Sequence, residues 1–104
     1  MSQLVHHFGH CELCIGTREL LVDGRPRALE PLVFDLLAYL LRHRDRDVSK
    51  DELLDEVWLG RIVSVGAVAS AAMTVRKAIG CSATGPLIRT VHGVGYALEV
   101  GDAA

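Results

Sequence analysis

The residues best suited to chemistry cluster near the start of the sequence. His6, His7, His10, Cys11 and Cys14 all carry metal-ligating side chains, and Cys11-Glu12-Leu13-Cys14 has the spacing of a zinc ligand pair. A zinc site needs about four ligands converging on a tetrahedron, and no second Cys-x-x-Cys or His-x-x-x-His pair follows. On an extended strand Cys11 and Cys14 also point to opposite faces. The expectation is two small half-buried residues on a first strand and no metal ligand, with metal or redox sensing as the alternative. Cys81 reads as a loop-edge thiol. Asp51, Glu52, Asp55 and Glu56 have spacings that would serve acid–base work, yet they fall on the outer face of a capped helix, where a solvated charge run is the usual outcome. Gly93-Val94-Gly95 lies between two strands, lacks a third glycine and opens no helix, so it has no means of cradling a phosphate. No Gly-x-Ser-x-Gly, His-Glu-x-x-His or Walker-type run occurs either, so no catalytic residue and no cofactor are expected.

A different stretch is notable for what it lacks. Residues 66–80, GAVASAAMTVRKAIG, hold no charge before Arg76 and Lys77. They sit inside a longer segment, Val57 to Leu98, that contains no Asp or Glu although the whole chain has a net charge of −2. An apolar core helix followed by a hairpin explains this segment without function; a surface facing a polyanion explains it with one. The 104 residues make one small domain with a single core. Half of them are apolar, but no run approaches the roughly 18–20 apolar residues of a membrane span. MSQLVHHFGHCE has no basic segment followed by a long apolar one, so no secretory signal and no membrane partner are expected and the cytoplasm is the default location. Three cysteines in such a chain suggest free thiols.

The elements that position these residues follow from pattern. Phe8, Leu13 and Ile15, then Glu19 to Val22, the turn dipeptide Asp23-Gly24 and Arg25 to Leu29 read as a small antiparallel sheet. Pro31 suits a first helical position, and VFDLLAYLLRHR is apolar around most of its circumference with basic residues at its end, the pattern of a central core helix. Ser49-Lys50-Asp51-Glu52 is a capping box for a second helix that Gly60 ends. Ser64 suits the cap of a third, closed by Gly80. Val68, Ala72, Val75 and Ile79 form its buried stripe, which leaves Gly66, Ala67, Ser70, Met73, Thr74 and Lys77 on the other side. LIRTVHGVGYALEV reads as two strands around a tight turn.

Strands, three helices and a closing hairpin form the layout of a winged helix. The segments LEPLVFDLLAYLLRHRDRDVSKDELLDEVW, VSVGAVASAAMTVRKAIG and LIRTVHGVGYAL resemble the OmpR/PhoB-type winged-helix effector domain of bacterial transcription regulators. The resemblance runs from about Phe8 to Leu98 and is most specific at Val48 to Leu54 with Val57-Trp58, and at Ile88 to Tyr96. It implies an α+β winged helix-turn-helix spanning 1–104, with an N-terminal sheet over 4–30, a three-helix core over 31–80 and a wing over 86–100.

The resemblance further implies double-stranded DNA as partner, with residues 64–79 as the recognition helix in the major groove and 88–96 as the wing near the minor groove. Position by position, Ser70 and Thr74 would face bases, and Gly66, Ala67 and Met73 would line the same surface. Arg76, Lys77, Arg89 and Arg61 would meet phosphates, and Trp58 and Thr90 would anchor the backbone. His92 stands at the wing tip, where it would add base discrimination, and Tyr96 would pack under the wing or touch phosphate. Recognition helices of this family usually present several Arg, His, Asn or Asp side chains. Gly66, Ala67, Ser70, Ala71 and Met73 offer few such groups, which implies reading by close approach, shape and wing contacts. The competing reading is a winged helix that docks on a protein or on its own copy through the Ala/Met face. A homodimer on tandem half-sites and a contact with RNA polymerase through residues 59–63 are further partner expectations.

Overall fold

The computed structural model describes residues 5–44, 46–60, 66–80, 87–91 and 93–99. Ser64, Arg61, Cys81 and His92, and part of the 59–63 loop, lie outside the described residues. The first four strands are β1 (Val5–Phe8), β2 (Cys11–Cys14), β3 (Glu19–Val22) and β4 (Arg25–Arg27), an antiparallel meander in the order β1-β2-β3-β4. Alternation sets its faces: Phe8, Cys11, Leu13, Leu20 and Val22 are buried, and Leu13 pairs with Leu20 and Cys11 with Val22 across strands. Asp23 and Gly24 both take positive φ, 54° and 79°, as a two-residue hairpin turn twisted to match its strands requires.

Helix α1 (Pro31–Arg42) starts where Pro31 supplies a preset φ and no donor that the first turn would leave unbonded. It buries Val33, Phe34, Leu36, Leu37, Leu40 and Leu41 in one cluster with the inner face of the sheet. Strand β5 (Val48–Ser49) leads directly into α2 (Lys50–Glu56), whose Ser49 cap accepts the Glu52 amide N–H at 3.0 Å. The reciprocal half of the expected capping box is not made, because the Glu52 carboxylate turns to Tyr39 and Arg46 instead. Leu59 and Gly60, both at positive φ, close this turn, and the Gly60 amide donates to Leu54 O.

Helix α3 (Ala67–Ile79) has Gly66 at its N-cap with no side-chain cap bond, and Gly80 at φ 66° ends it in the left-handed conformation that glycine tolerates best. Gly66 thus precedes the helix and does not belong to its first turn. Strands β6 (Leu87–Val91) and β7 (Gly95–Glu99) form the wing, with Val91 opposite Gly95. The expected hairpin is in fact the larger part of a three-stranded sheet in the order β5-β7-β6. Val48 and Ser49 pair with Tyr96 and Gly95, so the start of α2 is tied to the wing. The closeness of this joint requires glycine: a Cβ at Gly95 would lie 2.0 Å from Val48 O.

Candidate nucleic-acid interface

Helix α3 presents two faces of opposite character. Val68, Ala71, Ala72, Val75 and Ile79 are buried, so Ala71, expected on the outer surface, belongs to the core. Gly66, Ser70, Met73 and Lys77 are exposed at i, i+4, i+7 and i+11, a single outward stripe, with Ala69 and Thr74 exposed beside it and Ala67 half-buried. Met73 is 55% exposed, a large value for a thioether side chain. Thr74 Oγ1 donates back to Ser70 O at 3.0 Å, so its proton is used within the helix and only acceptor capacity remains outward.

Arg76, expected at a phosphate, is instead turned onto the wing. Its Nε donates to Ile88 O at 3.0 Å and its Nη2 to Thr90 Oγ1 at 2.7 Å, and the guanidinium carbon lies 5.9 Å from the Tyr96 ring centre. The guanidinium thereby fixes the angle between α3 and β6. Thr90 stays exposed while accepting this bond. Arg89 is exposed, with Nη2 4.0 Å from Asp47 Oδ1 and both side chains half-exposed, a contact weakened by solvent. Tyr96 is 5% exposed and packs under the wing, taking the first of the two roles expected of it. Trp58, expected to help anchor the backbone, is 3% exposed and packs among core residues, so little of its ring is open to a partner.

Residues 24–98 of this chain match the family model described as "Transcriptional regulatory protein, C terminal". The chain belongs to this OmpR/PhoB-type family. Transcriptional regulatory protein TrcR of Mycobacterium tuberculosis is 40% identical over 88 residues, 81% of this chain and 33% of TrcR. The phosphate regulon regulator PhoB of Pseudomonas aeruginosa is 34% identical over 76 residues, 72% of this chain and 33% of PhoB. The Klebsiella pneumoniae RstA DNA-binding domain, solved in complex with the RstA box, superposes with a TM-score of 0.73 at 29% identity over 89% of this chain and 94% of that one. The chain spans about a third of the length of TrcR and PhoB.

In this OmpR/PhoB-type domain Glu52, expected in a solvated charge run, instead joins a polar clamp with Tyr39 and Arg46. The Tyr39 hydroxyl of α1 donates to Glu52 Oε2, while Arg46 forks onto the same carboxylate, Nη1 to Oε1 at 3.0 Å and Nη2 to Oε2 at 2.6 Å. Bonds from Arg46 and then Tyr39 hold the Glu52 carboxyl down to about 2, and the bond to Glu52 raises the Tyr39 phenol. Glu52 thus fixes the start of α2, against which α3 packs. Asp51, Asp55 and Glu56 are exposed, as expected for a solvated run.

At the other suspected site, Cys11 and Cys14 occupy opposite faces of β2, Cys11 buried at 1% exposure and Cys14 half-buried. No group of three or more His, Cys, Asp or Glu side chains converges on a metal-sized site among the described residues. Sequence reasoning passed over Ala69 and Val94, the latter 45% exposed at the wing turn. Ala69 lies four residues before Met73 on the same side of the helix, so the 3.6 period contained the signal. No helix among the described residues is long and apolar enough to cross a membrane.

Proposed function

We propose that this domain binds double-stranded DNA in transcription regulation, with α3 in the major groove and the wing against the neighbouring groove or backbone. The observation that carries the reading is the Arg76 bridge: it holds α3 and β6 as one exposed surface, within a segment from Val57 to Leu98 that has no carboxylate. Lys77 and Arg89 supply the phosphate contacts, and Arg76 acts as a positioning residue. Ser70, Met73 and Thr74 face the bases, and His92 and Arg61 remain assigned to the wing tip and a phosphate on family resemblance alone. With so few cations one copy binds modestly, so the domain works as part of a longer cytoplasmic regulator or as a dimer on tandem half-sites, where a second site raises the effective concentration. No catalytic role is assigned, in keeping with a family of regulators.

The competing reading draws on the exposure of Met73 beside Ala69, an apolar surface suited to a protein partner. Fluorescence anisotropy of the chain with a random-sequence duplex pool, followed by sequencing of the retained fraction, separates the two. Salt-sensitive binding that enriches a short motif supports DNA reading; no binding at low salt rejects it in favour of protein docking.

A further inference from the structure

We propose that α3 reads thymine C5-methyl groups, with Met73 as the specificity-determining contact; this rests on the DNA-binding reading above. Hydrogen-bonded discrimination in the major groove uses Arg or Lys on guanine, Asn or Gln on adenine, and Asp or Glu on cytosine. The outward side of α3 among the described residues presents none of these except Lys77, in its last turn. Ser70 keeps a short exposed hydroxyl, which suits more than one base, and the two longer or stronger polar groups nearby are engaged inside the protein. The Thr74 hydroxyl proton is held by Ser70 O, and the Arg76 Nε and Nη2 are held by Ile88 O and Thr90 Oγ1.

What remains at the middle of the stripe is Met73, 55% exposed, between Ser70 one turn before it and Lys77 one turn after. If Lys77 lies at a phosphate, Met73 lies one turn further towards the groove floor. The apolar mark that distinguishes one base from the other three there is the thymine methyl. A thioether is flexible and polarizable, so it follows a methyl group without needing a rigid pocket. Gly66, Ala69 and Ser70 beside it are small enough to let the helix approach closely. The chemistry selected is therefore a thymine-containing half-site, read by apolar contact and recognised without a bidentate pair.

The test uses a duplex recovered by selection from a random pool, compared with the same duplex carrying deoxyuridine at every thymidine. That exchange keeps base pairing and removes only the methyl groups. Both duplexes are titrated against the natural chain and against Met73→Ala. The natural chain is expected to lose about fourfold in affinity for each contacted methyl, the equivalent of one buried methylene. Met73→Ala should bind the thymine duplex about as weakly as the natural chain binds the uracil duplex and should discriminate little between the two. Equal affinity of the natural chain for both duplexes, or full discrimination retained by Met73→Ala, overturns the inference while leaving DNA binding intact. Absence of binding to either duplex at low salt overturns the DNA reading and this inference with it.

Discussion

Gly95→Ala should damage this domain far more than its single added methyl suggests. The new Cβ would lie 2.0 Å from Val48 O, 2.8 Å from Ser49 Cα and 2.9 Å from Lys50 N, all backbone atoms that cannot rotate aside. Strand β5 must shift, which disturbs the Ser49–Gly95 and Val48–Tyr96 pairing and the Lys50 N–H bond to Val94 O, now 3.1 Å. Overpacking of this kind costs about 1–3 kcal/mol, and each backbone bond lost adds about 1 kcal/mol. The sum is about 3–5 kcal/mol, a large share of the roughly 5–15 kcal/mol that holds a small domain together. At about 4–8 °C per kcal/mol for a domain of this size, Tm should fall by at least about 12 °C. Trp58, the only tryptophan and a core residue, reports urea unfolding by its fluorescence. Gly93→Ala is the comparison: its φ is also positive, 75°, but nothing lies within 4 Å of the added Cβ, so only backbone strain of about 1–2 kcal/mol is expected. A Gly95→Ala protein within about 0.5 kcal/mol of the natural chain would refute the close β5–β7 joint.

Glu52→Gln should lower stability at neutral pH by at most about 1 kcal/mol, because solvent screens the charged pair that Arg46 and Glu52 form at the surface. The Glu52 carboxyl is held at about 2, below its value in the unfolded chain, so its contribution is complete above the ordinary carboxylate range and fades as pH falls from there towards 2. The stability gap between natural and variant chains should close over that interval, and a gap constant down to pH 2.5 would contradict the clamp. Arg76→Ala should cost about 1–2 kcal/mol in urea unfolding and weaken DNA binding several-fold, because two hydrogen bonds that set the helix–wing angle are lost.

Local chemistry made most of the fold legible. Asp23-Gly24 carried a turn, Pro31 a helix start, Ser49 a cap and Gly80 a helix end, each through a conformational preference of one or two residues. Strand β5 escaped notice because two residues are too few to show a period, and their pairing partner lies almost fifty positions away in β7. The outer stripe of α3 followed from helical spacing, whereas the direction of its polar groups did not. Arg76 bonds to residues 12 and 14 positions later, and Tyr39 reaches Glu52 across 13 positions, so neither partnership leaves a mark on its own helix. Trp58 carried a positional expectation from family resemblance, whereas its burial among core residues follows from the packing of the whole cluster and leaves no local mark. Ala71 went to the core because the buried arc of α3 is wider than a stripe of four residues.

DNA binding through Lys77, with Arg76 held on the wing, is tested most directly by the salt dependence of duplex binding by the natural chain, Lys77→Ala and Arg76→Ala. Each phosphate contact adds about 0.9 to the slope of log affinity against log salt concentration. Binding measurable at low salt should fall linearly on this plot, with a slope shallower by about 1 for Lys77→Ala and a slope unchanged for Arg76→Ala although its affinity drops. Binding that ignores salt, or a slope that Lys77→Ala leaves untouched while Arg76→Ala reduces it, would contradict the assignment of Lys77 to the phosphate and Arg76 to the wing.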